Sequence, residues 1–171
     1  MNSQKKILKL AGLKKMVTRL RKQGKTIAFT NGCFDILHFG HVRYLEAAQK
    51  PNRVLIVGIN SDPSVRRIKG PHRPIIPECH RATLVAALGC VDFVTIFDEE
   101  TPHNLIKVLE PDILIKGADW RGKEVVGRDI VKSTGGKVEF IKYWDQFSTT
   151  KIIETIIEKC ACSKQIRPFR V

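Results

Sequence analysis

From Ile7 to Leu20 the apolar residues fall at 7, 8, 10, 11, 13, 16, 17 and 20, near the 3.6-residue period of an amphipathic helix. The opposite face of that segment is lysine and arginine. Beyond Gly24 the pattern changes to short, continuous apolar runs alternating with helical stretches. Thr26–Thr30, Val54–Asn60, Phe93–Phe97, Ile113–Lys116 and Val138–Ile141 read as strands. Gly40–Gln49, Glu78–Leu88, Pro102–Leu109 and Val125–Thr134 read as the intervening helices, and Ser148 or Thr149 caps a last helix reaching about Lys159. Between them, residues 66–74 are basic and broken by Gly70, Pro71 and Pro74, which reads as a long loop. Five strands alternating with helices predict an α/β fold. Right-handed crossovers restrict it to a Rossmann-like, doubly wound, five-stranded parallel sheet with helices on both faces. A ligand in such a fold sits beyond the C-terminal strand ends, where the strand order reverses.

The 171 residues suit a single domain, with a basic amphipathic helix over 1–24 and an irregular basic tail over 160–171. The apolar runs are too short to span a bilayer and no signal-peptide core opens the chain, so the expectation is a cytoplasmic protein with no integral membrane segment. The five cysteines suggest no disulfide framework and read as free thiols; Cys160 and Cys162 lack the second pair that a zinc site needs. The net charge of +13 could signal nucleic acid, but its distribution argues otherwise. Residues 1–25 carry nine Lys or Arg and no acid, residues 159–171 carry four and no acid, and the body between holds 17 basic and 17 acidic residues. The excess lies on the ends, which weakens a reading of the body as a nucleic-acid platform, while a basic helix touching an anionic surface stays open.

The densest chemistry is Thr30-Asn31-Gly32-Cys33-Phe34-Asp35-Ile36-Leu37-His38-Phe39-Gly40-His41, which leaves the first strand and enters the first crossover helix. There a phosphate can meet backbone N–H groups and a helix N-terminus, with Gly32 and Gly40 permitting close approach. His38 and His41, three apart at a helix start, share a face and can donate to charge that grows on an oxyanion. A zinc reading of Cys33, His38 and His41 would need a thiolate in an anion pocket. A second cluster, Ser148-Thr149-Thr150, opens the last helix, where hydroxyls either cap or hold phosphate. A third, Lys116-Gly117-Ala118-Asp119-Trp120, follows the fourth strand and flanks the switch point. A fourth comprises Asn60, Asp62, Lys69 and Arg73 on and around the basic loop, with Arg81 early in the next helix.

These residues resemble the cytidylyltransferase-like nucleotidyltransferase superfamily in the His-Phe-Gly-His and Ser-Thr-Thr signatures. Over about residues 5–158 the chain is similar to the heptose 1-phosphate adenylyltransferases. The likeness runs through Val57-Gly58-Ile59-Asn60-Ser61-Asp62, Arg67-Ile68-Lys69-Gly70, Arg73-Pro74-Ile75 and Pro111-Asp112-Ile113-Leu114-Ile115-Lys116-Gly117. Residues 117–123 partly resemble glycerol 3-phosphate cytidylyltransferases instead; the alternative within the superfamily is a sister enzyme acting on glycerol 3-phosphate, ethanolamine phosphate or FMN. The resemblance implies AMP transfer from ATP to D-glycero-β-D-manno-heptose 1-phosphate, giving ADP-heptose and pyrophosphate for the lipopolysaccharide core. It implies His38, His41 and Lys69 as catalytic residues. It implies a nucleotide site of Thr30, Asn31, Gly32, Cys33, Phe34, Gly40, His41, Arg81, Lys116, Gly117, Asp119, Ser148, Thr149 and Thr150. Asp35, Asn60, Asp62, Lys69 and Arg73 are implied on the sugar-phosphate side. Magnesium would arrive with the triphosphate, with no resident protein-bound metal. The implied partners are ATP and a sugar 1-phosphate, with no nucleic acid; a homo-oligomer stays open. A reading of another class is a non-catalytic nucleic-acid or membrane module built on the basic ends.

Overall fold

The computed structural model describes residues 2–142 and 147–161. Its centre is a five-stranded sheet of β1 (Thr26–Gly32), β2 (Arg53–Asn60), β3 (Phe93–Phe97), β4 (Ile113–Gly117) and β5 (Lys137–Ile141). The strand order is β3-β2-β1-β4-β5 and every pairing is parallel. Order reverses between β1 and β4, which sets the switch point there.

Alternate residues of each strand feed opposite faces. Ala28, Leu55, Val57 and Ile115 pack with Tyr44, Leu45 and Val85 under α2 (Phe39–Ala48) and α4 (Glu78–Ala87). Ile27, Phe29, Ile56 and Leu114 pack with Leu13, Leu105 and Val131 under α1 (Leu10–Lys22), α5 (His103–Leu109) and α6 (Arg128–Ser133). Burial on both faces is why these strands read as unbroken apolar runs. Gly58 on β2 is required by packing, since a Cβ there would stand 2.9 Å from Phe29 Cζ.

The N-terminal segment is part of the fold. Leu8 N–H donates to the Val94 carbonyl at 2.9 Å, covering the β3 edge. Lys6 Nζ donates to the carbonyls of Leu88 and Val91 at 3.1 and 2.7 Å, and Arg21 binds those of Leu109 and Glu110. Two of the basic residues thus close the ends of α4 and α5, where carbonyls lack helical partners.

Three expectations are corrected. Residues 66–74 are not one loop: α3 spans Asp62–Lys69, capped by Ser61 Oγ accepting from Ser64 N–H at 3.1 Å and ended by Gly70 at φ 95°. The helix expected from Val125 starts at Arg128, because Gly127 sits at φ 82°. The last helix, α7, covers Thr149–Ala161, so Cys160 is helical rather than the start of an irregular tail. The remainder of that tail, Cys162 included, lies outside the described residues.

Candidate active site

The switch point opens into a cleft of about 520 Å³ at the C-terminal edge of the sheet. One wall is the β1–α2 corner, with Asn31, Gly32, Cys33, Phe34, Asp35 and His41. The floor between β1 and β4 is closed by Lys116, Gly117, Asp119 and Trp120. Ser148, Thr149 and Thr150 at the tip of α7 face it from one side, and Lys69 at the end of α3 with Arg73 beyond it from another.

The two histidines meet. Their rings stack with centroids 3.8 Å apart at 22°, and Phe34 leans on His41 at 5.1 Å. His38 is the residue before the first turn of α2 and His41 lies within that turn, which brings side chains three apart together. Gly40 permits the pair, since a Cβ there would lie 3.2 Å from the His38 ring. Burial, with His38 alongside, pushes the His41 imidazole down to about 3, while Asp35 acts weakly the other way; burial also lowers His38. Both rings are therefore neutral near pH 7. Each keeps a buried Nδ1 without a hydrogen-bond partner, an expensive state that an incoming polar group can relieve.

Asp35 is buried and already committed. It accepts from Arg73 Nε at 2.7 Å and from the N–H groups of Ile75 and Ile76 at 3.0 and 2.9 Å. Its own carbonyl accepts from the Thr149 hydroxyl. Asp35 therefore locks Arg73 into the cleft wall and ties the α7 tip to the first loop. Asp35 nevertheless lines the cleft, on the side where the sugar phosphate is expected. Ser148 Oγ accepts from Lys151 N–H at 3.2 Å, capping α7, and Thr150 is exposed.

Lys116 Nζ donates to Asn31 Oδ1 at 2.6 Å and stands 5.5 Å from the Trp120 ring centre. Burial pushes its ammonium down to about 8, against the pull of Asp119. Burial likewise raises the Cys33 thiol, against Lys69, Arg81 and Arg73. Among the described residues no three His, Cys, Asp or Glu side chains form a metal cluster.

Several predicted residues stand back from the cleft. Thr30 is buried and shares a 2.9 Å hydrogen bond with Tyr44 Oη. His38 and Gly40 lie behind His41. Asp62 pairs with Arg81 at 2.7 Å. Arg81 is fully enclosed, with its guanidinium bonded to protein carbonyls and to Asp62, so its expected place as a nucleotide contact is corrected. Asn60 lines the cleft while its amide donates to Ser64 Oγ at 3.0 Å. Sequence reasoning missed Tyr44 and the segment Glu100-Thr101-Pro102, which line the cleft; Trp120, expected within the cluster after the fourth strand, lines it too. Tyr44 follows His41 by three residues on the same helix face, a spacing that marked it; the segment after β3 carried no such signal.

The sequence profile of the family described as cytidylyltransferase-like matches residues 29–155, taking in both histidines and the α7 tip. The chain belongs to the cytidylyltransferase-like family. It is thus a nucleotidyltransferase. The nucleotidyltransferase is 55% identical over 139 residues to the bifunctional protein HldE of Syntrophotalea carbinolica, covering 81% of this chain and 28% of that protein. It is also 55% identical over 151 residues to the bifunctional protein HldE of Campylobacter jejuni subsp. jejuni, covering 88% and 32%. The chain thus spans about a third of the length of these curated relatives. A crystal structure of the lipopolysaccharide core biosynthesis protein from Thermoplasma volcanium superposes with a TM-score of 0.59 at 30% identity, covering 70% of this chain and 98% of that one. Pantoate-β-alanine ligase from Francisella tularensis, at 16% identity and a TM-score of 0.57 over 89% and 77%, shares the fold. No helix among the described residues is long and apolar enough to cross a membrane.

Proposed function

We propose that this nucleotidyltransferase moves AMP from ATP to D-glycero-β-D-manno-heptose 1-phosphate in the cytoplasm, giving ADP-heptose and pyrophosphate. The observation that carries the reading is one cleft in which His41 and the hydroxyl tip of α7 face Lys69 and Arg73. The likeness to HldE proteins supports the acceptor and the base. The triphosphate lies along the β1–α2 corner, with its β- and γ-phosphates at Ser148, Thr149 and Thr150 and the helix dipole of α7 behind them. The adenosine occupies the side bounded by Asn31, Lys116, Gly117 and Asp119.

The sugar phosphate oxygen attacks the α-phosphorus in line, and the bond to the β-phosphate oxygen breaks as pyrophosphate leaves. Charge grows on non-bridging oxygens, so catalysis is positioning plus charge stabilisation. His41 donates a hydrogen bond there, His38 packs against its ring, and Lys69 and Arg73 neutralise phosphate on the acceptor side. Magnesium enters as part of the triphosphate substrate. The cleft carboxylates are Asp35, held by Arg73 and two N–H groups, with Asp119 and Glu100, which suits a metal carried in by phosphate rather than caged by protein.

The test is pyrophosphate release with heptose 1-phosphate and ATP, CTP or GTP, with glycerol 3-phosphate, ethanolamine phosphate and FMN as rival acceptors. Turnover highest with ATP and heptose 1-phosphate is expected. His41→Ala should lose about 10²–10³-fold in kcat, the usual loss for one donor to a developing oxyanion. A preference for CTP with glycerol 3-phosphate would replace the substrate assignment and keep the reaction class.

A further inference from the structure

Arg81 is the largest fully buried side chain among the described residues, and its guanidinium makes four contacts on three different segments around the cleft. Nε donates to the Ile76 carbonyl at 2.8 Å, on the segment that follows Arg73. One terminal nitrogen donates to the Cys33 carbonyl, in the loop between β1 and the histidines. The other donates to the Asn60 carbonyl at 2.8 Å and pairs with Asp62 Oδ1 at 2.7 Å, at the end of β2 and the start of α3. Asp62 is held in turn, since its N–H donates to Glu78 Oε2 at 2.6 Å from the first turn of α4.

These segments carry the groups that must converge. The Cys33 loop leads to His41, α3 ends at Lys69, and the Ile76 segment begins at Arg73. Asp35 joins the Cys33 loop to the Arg73–Ile76 segment, and Arg81 joins both to the end of β2. A carbonyl buried without a donor is costly, so the three oxygens hold station only while the fork is present. We propose that Arg81 is a positioning residue. It sets the distance between the histidine wall and the Lys69–Arg73 wall of the cleft without touching substrate. This rests on the nucleotidyl-transfer reading for its kinetic consequence, though not for its geometry.

The choice of arginine follows. Its planar fork directs donors along several fixed vectors, whereas a lysine ammonium is a point charge on a flexible stem. Arg81→Lys keeps the charge and can keep the Asp62 pair, but it cannot span Ile76, Cys33 and Asn60 together. A misplacement of about 1 Å between reacting groups can cost about 10²-fold in rate.

Three measurements on Arg81→Lys in the full chain test this: thermal unfolding, pyrophosphate release per folded molecule, and hydrogen exchange at residues 33–36, 60–64 and 73–77. Expected is a cooperative transition at 25 °C and above, kcat lower by about 10–100-fold with KM for the triphosphate within about threefold, and faster exchange confined to those three segments. Arg81→Ala with added methylguanidinium should regain part of the lost kcat. Wild-type kcat per folded molecule with unchanged exchange overturns the proposal. So does a loss of activity that only tracks the folded fraction, since Arg81 would then be a stability element alone. Should wild type release no pyrophosphate with any triphosphate, the transfer reading fails, and the exchange pattern still decides whether Arg81 holds the walls together.

Discussion

At the scale of single residues, the protonation of the histidine pair governs how the site meets an anion. His41 stays neutral down to about pH 3 in the folded chain because burial and His38 disfavour its charge. The unfolded imidazole titrates near 6.5. Between those values the unfolded chain binds the extra proton, so folding stability falls as pH drops from about 6.5 toward 3 and is unaffected by this group above 6.5. His38, lowered by burial, acts in the same direction. Urea unfolding at pH 7 and pH 5 should show wild type losing up to about 2 kcal/mol through His41 over that interval. His41→Asn should lack that share of the slope, and equal slopes would show that the imidazole is not held neutral. The same logic predicts that polyphosphate binding raises both histidine pKa values, so ATP binding near pH 6 should take up protons. Calorimetry in two buffers of different ionisation enthalpy reads this directly. The histidines were legible in the sequence because glycine between two imidazoles at a strand-to-helix corner has few packing explanations. Arg81 was not legible: a fully enclosed arginine and a phosphate-binding one are the same letter, and only its partners distinguish them.

At the scale of elements, the strands were readable to within a residue or two because both sheet faces are covered, which leaves continuous β-branched runs. α3 was hidden for the opposite reason. It is eight residues long, carries a proline in its first turn and has only Val65 and Ile68 as apolar side chains, too short a run to stand out as a helix beside Gly70 and Pro71. Its consequence is functional, because it is a helix, rather than a loop, that presents Lys69 at the cleft. Packing under the sheet gives a second check. At Gly58 a methyl group would meet Phe29 Cζ at 2.9 Å and Leu105 Cδ2 at 3.2 Å, both in the core between β2 and α5. Gly58→Ala should destabilise the protein by about 1–3 kcal/mol through overpacking, with an unchanged triphosphate KM, because the clash lies on the far side of the sheet from α2. Retained stability would mean that Phe29 can swing aside.

At the scale of the whole molecule, the charge is uneven and the fold explains only part of it. Lys6 and Arg21 close helix ends, whereas Lys14, Lys15, Arg19 and Lys22 stand exposed on α1 with no acid before residue 26. Leu13 and Val17 are buried, so the apolar face of α1 is spent within the domain and not offered to a bilayer. Like charges at Lys15 and Arg19, four apart on one helix, repel by a few tenths of a kcal/mol. Replacing Lys14, Lys15, Arg19 and Lys22 together with glutamine should therefore leave stability within about 1 kcal/mol of wild type and should narrow the difference between melting at low and high salt. Turnover should be unchanged, because these side chains are not among those lining the cleft. Removing residues 2–8 is a different perturbation, since it strips Leu8 from the β3 edge and Lys6 from the end of α4. That truncation should lower Tm and promote association through the uncovered strand. If instead the glutamine variant lost activity while the truncation did not, the basic face would have to be part of the phosphate machinery, and the separation between a neutral catalytic body and a charged flank would be wrong.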